Sequence, residues 1–169
     1  DFFEKMLHTN ITSLMLTCKY FGNWMKDHNL DGDDFVELQP GQPNTNKGYG
    51  KIINIGSVAG DAAYAGGNVY CATKAAVKTI TDGLRIDVAD TALRVTNIKP
   101  GLVETNFSRT RFHGDNDRAD NVYKGIKPLT GDDIADVALY AAEAPAHVQI
   151  AEVLVLATHQ GSGSVIVRK

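Results

Sequence analysis

Cysteine is scarce in this sequence: only Cys18 and Cys71 occur among 169 residues. Two thiols, each inside a segment that reads as helix, give no disulfide framework and fit a reducing compartment, the cytoplasm by default. Long apolar runs are missing too. No stretch approaches the roughly eighteen apolar residues of a membrane span, and the segment from Asp1 to Asn10 has neither the basic nor the apolar part of a secretion signal. The sequons at Asn10 and Asn106 therefore carry little weight, because their modification needs a secreted context. Charge of one sign is also lacking. The 17 basic and 20 acidic residues are spread without blocks, leaving a net charge of -3 and no footprint for nucleic acid or an anionic membrane. The histidines His8, His28, His113, His147 and His159 show no paired ligand spacing. Asp31, Asp33 and Asp34 fail as a calcium loop, since Gly32 takes the second place and no carboxylate follows at the right distance, so no metal is expected. What is present is a chain 43% hydrophobic, enough for one domain with a core and open to small-molecule chemistry.

From Asp1 to about Lys26, the residues Phe3, Leu7, Ile11, Leu14, Cys18, Phe21 and Met25 recur at helical steps and predict one long helix with the polar Asn10 in mid-run. The pattern starts abruptly, with no methionine and no cap, so the chain is expected to be cut at its amino end. Residues 27–50 lose all periodicity and read as an inserted loop. Lys51 to Gly56, a short branched apolar run ended by glycine, predicts a parallel strand buried on both faces. Tyr70 to Asp90 predicts a helix whose packing stripe is Ala72, Ala76, Ile80, Leu84 and Val88. Leu93 to Ile98 predicts a second strand, stopped by Lys99-Pro100-Gly101. The polar stretch from Glu104 to Ile126 has room only for short helical turns. Thr130 then caps a helix through Ala142 that buries Ile134, Val137, Ala138 and Ala141. Val153 to Ala157 is a third strand, and Thr158 to Lys169 is a tail with burial only at Val165 and Val167. Strands alternating with helices predict an α/β fold with a three-stranded parallel sheet and right-handed crossovers.

Tyr70 and Lys74 lie four apart at the start of the second helix and share one face. Ser57 directly follows the first strand, and the carboxyl ends of strands are where open α/β sheets bind ligands. The three suit proton-coupled hydride transfer. A tyrosine with a pKa of roughly 10 is a poor base near neutrality, and a neighbouring ammonium brings that value down. Ser57 can donate to a substrate oxygen as charge builds on it, and Asn10 can hold a water linking Lys74 to solvent. Arg109 and Arg111 suit a carboxylate or a phosphate, because guanidinium forks match both.

Asn10, the run Ile-Ile-Asn-Ile-Gly-Ser57, Tyr70-Cys-Ala-Thr-Lys74 and Pro100-Gly101-Leu-Val-Glu-Thr105 closely resemble the short-chain dehydrogenase/reductase family. The continuation through Phe107-Ser, Arg111-Phe-x-Gly and Asn121-Val-Tyr-Lys resembles its NADP-dependent 3-hydroxy acid, or serine-type, dehydrogenases of bacteria and fungi. The resemblance implies a Rossmann-type doubly wound sheet, of which this chain is the carboxyl-terminal part. It implies Tyr70 as acid/base, Lys74 as the residue that tunes it and holds the nicotinamide ribose, Ser57 as the carbonyl-orienting serine and Asn10 as the water-relay asparagine. Cofactor contacts are implied at Lys19, Ile55, Tyr70, Lys74, Pro100, Gly101, Val103 and Thr105, and substrate contacts at Ser57, Tyr70, Arg109 and Arg111.

The family's Gly-rich turn, and the residue that selects NADP over NAD, have no counterpart in residues 1–169, so NADP is expected by resemblance and NAD stays open. The expectation is a single partial domain over residues 1–169, with an inserted loop at 27–50, a substrate flap at 104–128 and a tail at 158–169. The complete protein is expected to be a homodimer or homotetramer that oxidises a small 3-hydroxy acid or related alcohol. Alternatives are a carbonyl reductase of the same family with another substrate, and a non-catalytic version of the fold. The segment alone is expected to be unstable or inactive, since it exposes a flat strand edge.

Overall fold

The computed structural model describes residues 1–28, 50–111, 114–145 and 147–169. The proposed insertion, with Asp31, Asp33 and Asp34, lies outside them except at its ends, as does His113. The amphipathic start folds as α1 (Phe2–Leu7) and α2 (Ser13–Asp27), joined without a break by a π-helical turn over His8–Thr12. There the Ser13 amide reaches back five residues to the His8 carbonyl. The extra residue in this turn carries Asn10, which accounts for an asparagine in a run otherwise suited to a regular helix.

β1 (Lys51–Ile55), α3 (Asn68–Asp87), β2 (Arg94–Pro100), α4 (Phe107–Arg111), α5 (Asn116–Asn121), α6 (Gly131–Glu143) and β3 (Glu152–Val155) follow. The strands form one parallel sheet in the order β1-β2-β3, with Lys51 opposite Arg94 and Asn97 opposite Glu152. Buried Cys18, Ile52, Val88, Leu93 and Val95 make the core between the sheet and α2 and α3, flanked by Leu14, Met25 and Leu84. Arg94, the neighbour of Val95 in the strand and so on the opposite face, donates to the Ala144 and Pro145 carbonyls just beyond α6. The sheet thus has helices on both faces, the α/β arrangement expected. Among the described residues no helix is long and apolar enough to cross a membrane, and no cluster of His, Cys, Asp or Glu could hold a metal.

Five local expectations are corrected. The first helix does carry a cap: the Asp1 side chain accepts from the Glu4 amide in a reciprocal box. β1 is not buried on both faces: Ile52 and Asn54 are covered by helices, but Lys51 is exposed and Ile55 is 47% exposed, because α6 leaves the other face open at the strand's end. α3 is rotated from the expected stripe. It buries Cys71, Thr73, Val77 and Thr81, while Ala72 is exposed and Ala76 and Ile80 are half-buried. Threonine can take core positions here because its hydroxyl donates to the helix's own carbonyls, Thr73 to Tyr70 and Thr81 to Val77, so no donor is stranded. β2 runs through Pro100 instead of stopping before it. The Asn97 and Gly101 amides both donate toward β3, so by alternation the nitrogen of Pro100 faces the β1 side, where the ladder has already ended. In the tail, Val165 and Val167 are exposed and the buried residue is Gln160.

Other readings stand. Thr130 caps α6 in a reciprocal box with Asp133, and α6 buries Ile134 and Ala141 with Val137 and Ala138 half-buried.

Candidate active site

The carboxyl ends of β1 and β2 meet the amino end of α3, and the predicted residues gather there. Gly56 donates its amide to the Ile98 carbonyl, which extends the strand by one bond and delivers Ser57 at its tip. Ser57 caps a 3-10 turn over Val58–Gly60, its Oγ accepting from the Ala59 amide at 3.1 Å. Gly60 has to be glycine, since a Cβ there would lie 2.6 Å from the Lys74 carbonyl oxygen. That close approach brings the turn against α3.

On α3, the Lys74 ammonium donates to the Ile55 carbonyl at 2.9 Å and lies 5.9 Å from the centre of the Tyr70 ring. Burial pushes the Tyr70 hydroxyl above the ordinary tyrosine value, and its hydrogen bond with Ser57 pulls the other way without winning. Burial also pushes Lys74 down. This reverses the sequence argument, in which the neighbouring ammonium lowers the tyrosine: desolvation of the phenolate outweighs what favours it. Asn10 Nδ2 donates to Thr73 Oγ1 at 3.0 Å, so the π-helical turn is tied to α3 beside Lys74.

The remaining candidates are more scattered. Lys19 is exposed on α2, about 13 Å of helix rise beyond Asn10. Ile55 contributes its carbonyl. Pro100 is buried, and Gly101 faces Gln160 so closely that a Cβ would lie 2.2 Å from that amide oxygen. The Val103 carbonyl accepts from the Tyr123 hydroxyl at 2.9 Å, and Thr105 Oγ1 accepts from the Phe107 amide at 3.2 Å. Thr105 and Arg109 line a polar cleft of about 450 Å³ with Glu104, Asn106, Ser108, Asp120 and Tyr123. Arg111 turns the other way, to Tyr64.

Residues 1–116 match the short chain dehydrogenase family. The chain belongs to that family. The NADP-dependent 3-hydroxy acid dehydrogenase of Schizosaccharomyces pombe is 50% identical over 123 residues, which cover 73% of this chain and 48% of that protein. The serine 3-dehydrogenase of Agrobacterium fabrum is 43% identical over 108 residues, 64% of this chain and 43% of the relative. The chain thus spans about half the length of the curated relatives it matches. A serine dehydrogenase solved in closed form with NADP+ superposes at a TM-score of 0.82 with 36% identity, over 99% of this chain and 60% of that one.

As a short-chain dehydrogenase the chain also holds residues that its sequence alone does not single out. Lys99, its side chain 6% exposed, bonds both Asp61 carboxylate oxygens at 2.9 Å and Glu152 at 2.6 Å. A lysine inside the apolar run of β2 was the available signal. Gln160 accepts the Leu102 amide at 2.9 Å, which fixes the loop after β2, and nothing local marks it. Tyr123, part of the quoted family motif, joins Ser108 at 2.8 Å and so ties α4 to the Val103 backbone.

Proposed function

We propose that the complete protein is an NADP-dependent oxidoreductase that interconverts a small 3-hydroxy acid and its oxo form, with Tyr70 moving the proton. The observation that carries this reading is the meeting of Ser57, Tyr70 and Lys74 at the carboxyl end of β1, Ser57 set by the Ala59 amide, Lys74 by the Ile55 carbonyl and Tyr70 by its hydrogen bond with Ser57. The donor set fits a nicotinamide nucleotide. The Lys74 ammonium and Tyr70 hydroxyl suit ribose hydroxyls, Ile55 frames them, and the loop from Pro100 through Val103 to Thr105 follows the carboxyl end of β2. Lys19, exposed on α2, fits only the outer part of such a ligand.

Bound NADP+ supplies the carbon that accepts a hydride from the alcohol. Ser57 holds the alcohol oxygen through its hydroxyl. Tyr70 takes the proton from that oxygen as the C–H bond breaks in oxidation, and returns it to the carbonyl oxygen in reduction. Because burial keeps Tyr70 protonated, the side chain is poised as a donor for reduction, and Ser57 eases its ionisation for oxidation. Asn10 steadies α3 beside Lys74 through Thr73. The substrate side is formed by Ser57, Tyr70 and the arginines of α4, Arg109 and Arg111, with residues 104–128 as the covering flap. The exposed apolar surface of α1 and α2, including Phe3, Leu7, Tyr20 and Trp24, supports a homodimer or homotetramer. The free buried cysteines support a cytoplasmic setting.

The test is NADP-linked oxidation of L-serine and 3-hydroxyisobutyrate by the complete protein beside its Tyr70→Phe variant. The variant is expected to lose about a thousandfold in kcat while still binding the nucleotide. A wild-type protein that binds NADP and turns over neither substrate overturns the proposal.

A further inference from the structure

The turn that carries Ser57 is short, and β2 holds both of its ends. At the start, the Gly56 amide donates to the Ile98 carbonyl at 2.7 Å. At the finish, Asp61 closes the 3-10 turn over Val58–Gly60, its amide donating to the Val58 carbonyl at 3.1 Å. The ammonium of Lys99, the residue after Ile98 in the same strand, donates to both Asp61 carboxylate oxygens at 2.9 Å. Between these fixed ends Ala59 is buried, and its amide donates to Ser57 Oγ. The other contact of that hydroxyl, with Tyr70, is therefore aimed by where the turn lies.

Burying an ammonium is costly unless oxygens replace its water. Lys99 meets that condition with carboxylates from two separate elements. Glu152 on β3 accepts from the same ammonium at 2.6 Å and is itself met by Asn97 Nδ2 at 3.4 Å. The hold on Asp61 is thus backed by two strands of the sheet. Methionine would fill the same space in β2 without the desolvation, so packing alone does not account for a lysine here. What the ammonium adds is a fixed attachment for the far end of the Ser57 turn.

We infer that Lys99 is a positioning residue that, through Asp61, holds the Ser57 turn so that the serine hydroxyl stays on Tyr70. The role given to this contact in proton transfer rests on the oxidoreductase reading above. A turn released at its Asp61 end can rock about the Gly56 bond, and a small rotation there spoils the alignment that a hydrogen bond needs. The tyrosine stays where α3 puts it, so the serine is the partner that moves.

The experiment follows the phenolate absorption of Tyr70 in the complete protein, isolated by difference from Tyr70→Phe. It compares wild type, Asp61→Ala, Lys99→Met, Ser57→Ala and the two double variants that include Ser57→Ala. Asp61→Ala leaves Lys99 paired with Glu152, so it releases the turn without stranding a charge. Asp61→Ala and Lys99→Met are each expected to move the Tyr70 titration about half a pH unit upward, and to add nothing once Ser57 is alanine. Charge alone predicts otherwise, because removing a carboxylate lowers a phenol's pKa and removing an ammonium raises it. Tyr64, Cys71, Lys74 and Arg111 also act on Tyr70 or lie beside it, and no variant alters them. With 3-hydroxyisobutyrate, Asp61→Ala should lower kcat about tenfold and leave the Kd for NADP within about twofold. Shifts of opposite sign in the two variants, no shift in either, or shifts that persist with Ser57→Ala overturn the inference. If Tyr70→Phe still abolishes turnover in that case, the oxidoreductase reading survives. A wild type that oxidises neither acid, while its Tyr70 titration responds as expected, removes that reading and leaves the hold of Lys99 on Ser57.

Discussion

The turn that carries Ser57 and the segment that carries Arg109 and Arg111 border the same crevice, yet they are held by different means. The turn is built into the sheet: Gly56 bonds β2, Gly60 presses on the Lys74 backbone, and Asp61 is gripped by the buried Lys99. Beyond a backbone bridge of Val103 to Leu129, the segment that carries Arg109 and Arg111 is held by side chains, Tyr123 to the Val103 carbonyl and Ser108, and Arg111 to Tyr64. Contacts through one hydroxyl each contribute about 1 kcal/mol and can be broken singly, whereas a strand end cannot move without its ladder. Ser57, Tyr70 and Lys74, to which the proposed function gives the proton, therefore sit on the firm side, and Arg109 and Arg111 on the side whose side-chain contacts can be broken singly.

The largest expected break in this comparison is Lys99→Met. It leaves the Asp61 and Glu152 carboxylates side by side without their shared cation, and should cost about 3 kcal/mol in denaturant unfolding of the complete protein. Burial opposes the charge on Lys99, but its hydrogen bonds with both carboxylates outweigh burial and raise its pKa above 10.5. A raised folded value means the stabilisation is complete below the unfolded pKa and lost as pH rises through the folded one. The gap between variant and wild type should accordingly hold near neutrality and narrow in strong alkali. A gap that persists undiminished into strong alkali would mean the group is not organised around Lys99.

Tyr123→Phe is the smaller break on the flap side. It removes the bond to Val103 and strands Ser108, a loss of about 2 kcal/mol that should appear as faster amide exchange in α4 with β2 unchanged. Equal acceleration in both would show that flap and frame open as one unit. The smallest effect on stability is expected from Ser57→Ala, about 1 kcal/mol from the lost cap on Ala59. Its sharper signature is electrostatic. Ser57 pulls Tyr70 down, so its removal should move the phenolate absorption of Tyr70, isolated by difference from Tyr70→Phe, to higher pH. A shift to lower pH would contradict the hydrogen bond's assigned sense.

Where a residue's environment is local, the sequence was readable. Thr130 and Asp133 cap α6 as their spacing requires, and Tyr70 and Lys74 share a helix face whatever the rest of the fold does. Ser57 was placed by the strand before it. The misread positions depend on partners far along the chain. Thr73 and Thr81 look unsuited to a core until Asn10 and Asn54 arrive to bond them, each at 3.0 Å. Pro100 looks like a strand breaker until the neighbouring strand is seen to have ended. Gln160 has no hydrophobicity to advertise burial, yet it is fixed by the Leu102 amide from 58 residues away. The direction of the Tyr70 shift was lost for a similar reason, since proximity to Lys74 is written in the spacing and desolvation is not.

The π-helical turn at His8–Thr12 also absorbs a residue that a regular helix has no room for. An α-helix bonds each amide four residues back, whereas the Ser13 amide reaches five back to His8, so deleting one residue would let the run close as a regular helix. Cys18 would keep roughly its place against Asn54, while the bulge that presents Asn10 to Thr73 would be gone. The surplus residue thus acts as a local spacer that serves the contact with α3, and the helix on either side is indifferent to it.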